Sequence, residues 1–246
     1  MAESDADDAA APTTMLSATQ PAESVADAPS PPRANARPPA AAAPAGRDDL
    51  VTRLLPSVFA IGGATGFGTA VLIDDEKLLT NCHVVSRNAG AGAQIFAVNA
   101  ATGQRLPVTR VAYMNFRGED ACLAIVPGLT GRAVELGDAY ELSVGSHVHN
   151  LGFPQARLTA SDGEVTGIVA LNGQNFIQST NYCAPGISGG PLVDDHARLV
   201  GLTTGGPRDR SRCYSLTINT ARRVLYEPSI PVEDMPTDYL SNLVRH

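Results

Sequence analysis

From residue 57 onward, the chain is a series of short β-type runs separated by glycine, asparagine and aspartate, and this pattern constrains the fold most. Representative runs are SVFAI, GTAVLI, KLLTN, CLAIV, HVHNLGF, GEVTGIVAL, GPLVD, RLVGLTT and CYSLTI. Short runs with turn signals at roughly 8- to 12-residue spacing are typical of all-β sandwiches and barrels. Helix-compatible spacing is confined to residues 49–55 and 219–225. The sequence therefore predicts an all-β protein with a short helix near its C-terminus.

The apolar runs pause around Leu136-Gly137-Asp138 and resume at Ser143. We therefore predict two β units of similar size, residues 49–136 and 137–230, with a C-terminal extension over residues 231–246. Two six-stranded antiparallel barrels fit the number of runs, because closure removes the exposed edges of a sheet. The pattern by itself leaves barrels and sandwiches as alternatives.

Residues 1–48 differ in composition from the rest of the chain. The first 46 residues carry six acids and two arginines, a net charge of -4 out of the formal -7 of the 246-residue chain, and about half of them are alanine or proline. Such a segment buries too little apolar surface to offset the entropy lost on ordering. We predict a disordered tail, whose composition also has a weak likeness to the export segments of bacterial injected effectors.

Composition also argues against several classes of partner. The net charge is negative and no block is rich in lysine or arginine, so we expect no nucleic-acid binding. No apolar run approaches the roughly 20 residues of a membrane-spanning helix. The start, MAESDADDAA, lacks the basic and apolar regions of a secretory signal. We expect a cytoplasmic location by default, with leaderless or effector-type secretion as the alternative.

The four cysteines, Cys82, Cys122, Cys183 and Cys213, show neither a CxxC pair nor zinc-type spacing. We therefore expect no metal site. In a reducing compartment, a free cysteine is most often a small buried side chain. The sequence accordingly predicts reduced cysteines.

Three residues have the chemical types of a nucleophile, a base and an orienting acid. Ser188 lies in CAPGISGGPLV, between glycines and just before an apolar strand; His83 follows the hairpin GFGTAVLIDDEKLLT; and Asp120 precedes the run CLAIV. A serine hydroxyl is too basic to attack a carbonyl unaided, so a histidine must take its proton and a carboxylate must orient the imidazole. Each residue alone is compatible with an ordinary turn, and Glu119 and Asp138 are competing acids.

The stretches LLTNCHVV, DACLAIV, LGFP and FIQSTNYCAPGISGGPLVDDHARLVGLTTGG resemble the trypsin-like serine proteases, and most closely the HtrA (DegP-like) branch of that superfamily. The resemblance covers residues 57–225. It implies two perpendicular six-stranded β-barrels and hydrolysis of peptide bonds in a protein or peptide substrate through an acyl-enzyme, without a cofactor. It makes His83 the base, Asp120 the orienting acid and Ser188 the nucleophile.

The same resemblance implies roles for the backbone near the nucleophile. The N–H groups of Gly186 and Ser188 would form the oxyanion hole, where the loss of one donor typically costs a factor of about 10² to 10³ in rate. The segment Thr204-Gly205-Gly206 would pair with the main chain of the substrate, a form of β-strand addition.

The walls of the primary specificity pocket are implied as Tyr182 and Cys183 on one side and the run that contains Cys213 on the other. Neither wall carries a carboxylate, and burying an arginine or lysine side chain without one is costly. We therefore expect an uncharged residue, small or aliphatic, before the scissile bond. Oxidation that joins Cys183 to Cys213 is an alternative to the reduced pair.

The sequence also departs from the family pattern. Ile187 stands where the family usually has asparagine or aspartate, so activation by capture of a newly cut N-terminus is not implied. Because few residues follow the last predicted helix before His246, we expect no PDZ module of the kind typical of HtrA proteins. We expect an active serine endopeptidase, with a catalytically silent protein-binding module on the same fold and an exported effector protease as alternatives.

Overall fold

A computed structural model of the chain describes residues 47–92, 94–114, 119–207 and 211–239. Residues 1–46 of the predicted tail lie outside the described residues. The described residues belong to one compact unit. None of the helices in these ranges is long and apolar enough to cross a membrane.

Fourteen strands account for most of the regular structure of the described residues. The strands are β1 Val58–Gly63, β2 Gly66–Asp74, β3 Lys77–Thr80, β4 Phe96–Asn99, β5 Arg105–Pro107, β6 Arg110–Tyr113, β7 Cys122–Ile125, β8 His147–Gly152, β9 Thr159–Leu171, β10 Gln174–Ser179, β11 Gly190–Val193, β12 Leu199–Gly205, β13 Cys213–Thr217 and β14 Ile230–Pro231. The helices are α1 Arg47–Leu54, α2 Cys82–Ser86 and α3 Ile218–Ala221, with single 3-10 turns at Leu55–Ser57, Ala139–Glu141, Pro154–Ala156, Arg222–Tyr226 and Val232–Asp234.

The strands form two sheets, the first built mainly from β1–β7 and the second from β8–β13. The second sheet is a closed antiparallel barrel of six strands, in the order β10-β13-β12-β11-β8-β9. Its strands come from residues 147–217, after the predicted pause in the apolar pattern. Side chains that alternate inward along these strands fill the barrel, and Leu151, Ile177, Leu202 and Leu216 are fully buried there. The prediction of an all-β protein with a short C-terminal helix is confirmed.

The first sheet has eight strands in the order β14-β6-β7-β3-β2-β1-β4-β5 and stays an open, curled sheet, which differs in detail from the expected closed barrel of six. Its two edge strands, β14 and β5, are not paired with each other. β14 spans two residues and contains Pro231, which has no N–H to donate to a further strand. β14 belongs to the end of the chain, so the C-terminal extension completes the sheet that the N-terminal half began.

Two larger apolar clusters hold the sheets together. One contains buried side chains from both sheets, including Val71 and Leu79 of the first and Leu192 and Leu202 of the second. The other lies within the first sheet and includes Met235 and Tyr239 of the C-terminal extension. The first cluster therefore joins the two sheets, and the second packs the C-terminal extension against the first sheet.

The expectation of reduced cysteines was wrong, whereas the alternative that oxidation joins Cys183 to Cys213 agrees with the structure. The four cysteines form two disulfides, Cys82–Cys122 and Cys183–Cys213. Pairing of neighbouring strands explains both bonds, because Thr80 of β3 faces Cys122 of β7, and Ser179 of β10 faces Cys213 of β13. The bonding partners, Cys82 and Cys183, follow the ends of β3 and β10 within four residues, so each lies near the cysteine of the neighbouring strand. Sequence spacing does not show this proximity.

Candidate active site

His83 lies on α2, a five-residue helix that directly follows β3 and was not among the predicted helices. The side chain of Asp120 accepts two hydrogen bonds from this histidine: its Oδ1 lies 3.0 Å from the backbone N of His83, and its Oδ2 lies 2.7 Å from Nδ1 of the ring. The side chains are 15% and 9% exposed, respectively. A carboxylate that holds both the backbone and the ring restricts the imidazole to one orientation.

Asn81 connects the Asp120 loop to the second sheet. Its side-chain amide donates to the carbonyl oxygen of Asp120 at 2.6 Å and approaches Oγ1 of Thr204 at 3.4 Å. The side chain of Gln174 accepts from the backbone N–H of Asp120 at 3.4 Å. Two side chains that contact the backbone of Asp120 therefore come from elements distant in sequence.

The two competing acids have other partners. Glu119 is buried, and its Oε1 accepts from Arg223 Nη1 at 2.7 Å. Asp138 accepts from the N–H of Tyr140 and from the amide of Asn219, and these two bonds hold the pKa of Asp138 below its usual value. Of the three acids considered from sequence, Asp120 is the one in contact with the histidine.

Tyr239 of the C-terminal extension binds the backbone of the loop that contains Asp120. Its hydroxyl donates to the carbonyl oxygen of Glu119 at 2.6 Å and lies 3.3 Å from that of Met114. Burial raises the pKa of the Tyr239 hydroxyl well above its usual value, and the nearby carboxylates of Asp120 and Glu119 raise it further. The hydroxyl therefore remains a neutral donor that fixes the loop.

The Ser188 loop requires glycine at two positions. At Gly186 (φ 103°), a Cβ would lie 2.3 Å from the carbonyl oxygen of Phe153. At Gly189 (φ 83°), a Cβ would lie 2.1 Å from the carbonyl oxygen of Thr69. Both positions combine a left-handed backbone with a contact too close for any side chain.

Thr69 of β2 attaches this loop to the first sheet. Its N–H donates to the carbonyl oxygen of Ser188 at 2.7 Å, and its hydroxyl donates to that of Gly186 at 2.8 Å. The loop that presents Ser188 is thus held by the same sheet that carries His83. Relative movement of the histidine and the serine is restricted by these bonds.

The N–H groups of the Ser188 loop fall into two sets. Those of Ile187, Gly189 and Gly190 donate to backbone carbonyls of the protein. Among the described residues, the N–H groups of Gly186 and Ser188 have no such acceptor. Two backbone donors are therefore left for an oxygen outside the chain.

The hydroxyl of Ser188 donates to the carbonyl oxygen of Thr204 at 3.0 Å. Within the described ranges it makes no hydrogen bond to His83, although both residues line the same cleft of about 670 Å³. Thr204 lies where β12 extends beyond its last pair with β11, Gly190 with Thr203. Thr204 and Gly205 therefore present a sheet edge without a strand partner on the β11 side.

The residues predicted to bind the substrate, in the specificity pocket or along its main chain, are partly brought together. Cys183, Gly205 and Gly206 line the cleft. Cys213 is fully buried behind its bond to Cys183, and Ile187 packs against this disulfide. Tyr182 is outside the residues that line the cleft, and its carbonyl oxygen accepts from the amide of Asn150.

Sequence reasoning assigned no role to Asn81, Phe67 or Arg87. Asn81 stands two residues before the histidine, inside the quoted motif, and its position was the available signal. Phe67 and Arg87 line the cleft from the first sheet, and nothing in their sequence neighbourhood indicates this. In the described part of the chain, no group of three or more histidine, cysteine or acidic side chains is arranged to hold a metal ion.

Relatives of known sequence are bacterial proteins. The chain is 30% identical over 145 residues to the periplasmic serine endoprotease DegP of Escherichia coli (strain K12), which covers 56% of this chain and 29% of DegP. It is 31% identical over 150 residues to the uncharacterized protein y4bJ of Sinorhizobium fredii, which covers 58% of this chain and 22% of y4bJ. The chain thus spans less than a third of the length of these curated relatives.

Solved structures with a similar fold include two proteases. The HtrA-type protease AlgW, in a variant with a tripeptide, is 25% identical, with a TM-score of 0.64 over 74% of this chain and 62% of that one. The inactive form of the Rv3671c protease is 23% identical, with a TM-score of 0.61 over 72% of this chain and 90% of that one. At 23% identity the second likeness concerns the fold alone.

The sequence pattern of one family covers both the histidine and the serine of the cleft. The profile described as "Trypsin-like peptidase domain" matches residues 68–202, which is more than half of the chain. The expected resemblance to trypsin-like serine proteases of the HtrA branch is confirmed by this match and by the relatives above. The chain belongs to the family of trypsin-like peptidase domains.

Proposed function

We propose that this chain is a serine endopeptidase that hydrolyses peptide bonds in protein or peptide substrates through His83, Asp120 and Ser188. The observation that carries the proposal is the double contact between Asp120 and His83 at a cleft that Ser188 also lines. Membership of a peptidase family supports hydrolysis as the reaction class. The two unused N–H groups of the Ser188 loop support acyl transfer in particular.

The proposed reaction follows from the protonation of the imidazole. Because Nδ1 of His83 lies 2.7 Å from the Asp120 carboxylate, it carries the ring proton and leaves Nε2 as the base. Nε2 takes the proton of the Ser188 hydroxyl while Oγ attacks the carbonyl carbon of the scissile bond. The oxygen of that carbonyl becomes negative and accepts from the N–H groups of Gly186 and Ser188.

The remaining steps use the same residues. His83 returns the proton to the leaving amine as the carbon–nitrogen bond breaks, which leaves an ester on Ser188. Water then attacks this ester with His83 as the base, and the acid product leaves. The hydroxyl of Ser188 must first give up its bond to Thr204, and a substrate N–H that pairs with the same carbonyl oxygen would displace it.

A fluorophosphonate probe tests the activation of Ser188 directly. We expect one labelled site, Ser188, because a serine reacts readily with such a probe when a neighbouring base takes its proton. Labelling is expected to disappear in His83→Ala and to persist in Ser143→Ala, an exposed serine outside the cleft. Peptide mapping of the labelled protein identifies the site, and a folded protein that takes up no label would exclude this mechanism.

A second candidate is a peptide-binding module that does not hydrolyse its ligand. The bond from the Ser188 hydroxyl to Thr204 favours it, because a serine in this arrangement is not yet hydrogen-bonded to its base. The open edge of β12 would still bind a peptide by strand addition. Absence of labelling together with tight binding of peptides would support this candidate instead.

Cleavage is expected after uncharged residues that are small or aliphatic, such as alanine, valine or leucine. The cleft is lined by Cys183, Ala184 and Pro185 on one wall and by Gly206 and Pro207 on the other, and none of its lining residues is an acid. An arginine or lysine side chain would enter this site without a counter-ion, and removing such a charge from water costs several kcal/mol.

A peptide library analysed by mass spectrometry measures this preference. The same library incubated with Ser188→Ala serves as the control for contaminating proteases. Dominant cleavage after arginine or lysine would contradict the assignment of the pocket walls, and dominant cleavage after glutamate would require a basic group in the pocket.

A further inference from the structure

The wall of the cleft contributed by the first sheet carries an unassigned cation. Gly66, Phe67, Val84 and Arg87 line the cleft on this side. Besides His83, Arg87 is the one residue with an ionisable side chain among those that line the cleft in the described chain, and no carboxylate lines it. The fixed charge of the substrate cleft is therefore positive, although the whole chain is acidic.

Hydrogen bonds hold the backbone of Arg87 firmly. Its carbonyl oxygen accepts from the hydroxyl of Thr65 at 2.6 Å. The next residue, Asn88, accepts from the backbone N–H of Thr65 at 3.1 Å and donates to the carbonyl oxygen of Gly66 at 2.9 Å. The segment at Arg87 and the edge of the cleft at Gly66 are therefore one bonded unit.

The side chain of Arg87 lies across Gly66. A Cβ placed on Gly66 would be 3.6 Å from Cδ and 3.8 Å from Nη1 of Arg87, so the arginine covers the backbone at the entrance of β2. Within the described ranges, the guanidinium forms no ion pair and no hydrogen bond. An unpaired guanidinium at a binding cleft is available to a carboxylate of the ligand.

The position of Arg87 relative to His83 indicates which part of the substrate it meets. Arg87 has helical backbone angles at the end of α2 and follows His83 by four residues, so the two side chains lie on the same face of the helix. In the proposed reaction, His83 protonates the leaving amine, and the acyl side of the substrate pairs with β12. Arg87 therefore adjoins the segment that follows the scissile bond.

A second cavity continues this wall beyond Phe67. It has a volume of about 650 Å³, shares Phe67 with the cleft, and contains Arg105, whose guanidinium stacks 3.8 Å from the centre of the Phe96 ring. None of the described residues that line it is an acid. The surface beyond Phe67 is therefore also positively charged, on the side of the cleft that would bind the residues after the scissile bond.

We propose that Arg87 selects substrates with aspartate or glutamate within the first three residues after the scissile bond. This inference rests on the proposed endopeptidase function and names a substrate class for it. A charge pair at a partly exposed site changes binding by a modest factor, and we expect acidic peptides to be preferred over their amide counterparts by about 3- to 10-fold.

Paired peptides test the inference. Each pair has one uncharged aliphatic residue before the scissile bond and differs by aspartate or asparagine at the first, second or third residue after it. We expect the ratio of kcat/KM, aspartate over asparagine, to reach about 3 to 10 for at least one position at low salt and to fall towards 1 at about 0.5 M salt.

Substitutions of Arg87 test whether this residue causes the preference for aspartate over asparagine. The ratio is expected to approach 1 in Arg87→Gln and to fall below 1 in Arg87→Glu. Arg132→Gln is the matched control, because Arg132 is exposed and lines a separate cavity, and it should keep the wild-type ratio. A merely structural role for Arg87 would lower both rates and leave the ratio unchanged, which would overturn the inference.

Binding to an inactive variant separates this inference from the proposed function. In Ser188→Ala, fluorescence anisotropy of the labelled peptides should give the same preference as a ratio of Kd values. A preference in binding without any hydrolysis by the wild type would retain the role of Arg87 and reject the endopeptidase. Hydrolysis and binding without any preference would reject the role of Arg87 and retain the endopeptidase, and failure to bind either peptide would reject both.

Discussion

Replacing Ser188 by alanine is expected to lower the kcat for peptide hydrolysis by a factor on the order of 10⁴ or more. The alanine has no oxygen to form the acyl-enzyme, and residual rate comes from the oxyanion donors alone. The substitution fits the site, because the hydroxyl makes a single hydrogen bond, to the carbonyl oxygen of Thr204. Turnover of a quenched fluorescent peptide with an aliphatic residue before the scissile bond measures the change.

Two controls accompany this measurement. Ser143→Ala removes an exposed hydroxyl outside the cleft and should leave turnover at the wild-type level. The melting temperature of Ser188→Ala should stay close to that of the wild type, since one partly buried hydrogen bond contributes about 1 kcal/mol. Wild-type turnover in a folded Ser188→Ala protein would show that Ser188 is not the nucleophile.

Asp120→Asn is expected to lower kcat by a factor of about 10⁴ while the fold remains intact. The carboxylate accepts twice, from the backbone N–H and from Nδ1 of His83. An asparagine has one oxygen, and the backbone N–H, which can only donate, will retain it. The amide nitrogen then faces Nδ1 and forces the ring proton onto Nε2, so the histidine loses its function as a base.

Asp74→Asn is the matched control for this change. Asp74 is an exposed acid in the hairpin turn between β2 and β3, paired with Lys77, and its loss should leave kcat unchanged. Circular dichroism and thermal melting check that both variants are folded. An Asp120→Asn enzyme within tenfold of the wild-type kcat would mean that Asp120 does not orient the base.

Local pattern was sufficient to predict the fold class. Runs such as CLAIV and RLVGLTT are short, mainly apolar and bounded by turn residues, and these properties depend on neighbouring residues alone. The glycines around Ser188 could also be identified from the sequence as required by the loop. The left-handed backbone at Gly186 and Gly189 is a local property that favours glycine at these positions. The roles of His83, Asp120 and Ser188 stay predictions, although His83 and Ser188 line one cleft and Asp120 contacts His83.

Features that depend on distant residues were not predictable in this way. The closure of a sheet depends on whether its edge strands meet, and β14 comes from the end of the chain to pair with β6. The cysteine pairs depend on the register of β3 with β7 and of β10 with β13. The expectation of reduced thiols was wrong because it rested on an assumed reducing compartment, whereas the two disulfides require only that each cysteine pair lies close together in the folded chain.

The all-β class, the residue types of a nucleophile, base and acid, and the glycines of the Ser188 loop could be predicted, because each follows from short-range backbone and side-chain chemistry. The folded chain was needed to show that Asp120, which the resemblance implied, contacts His83 while Glu119 and Asp138 do not, that the Ser188 hydroxyl bonds to Thr204, and that Arg87 lies on the cleft. These are choices among hydrogen-bonding and charged partners from remote segments, and strand register and loop packing determine which of those partners come within a few ångströms.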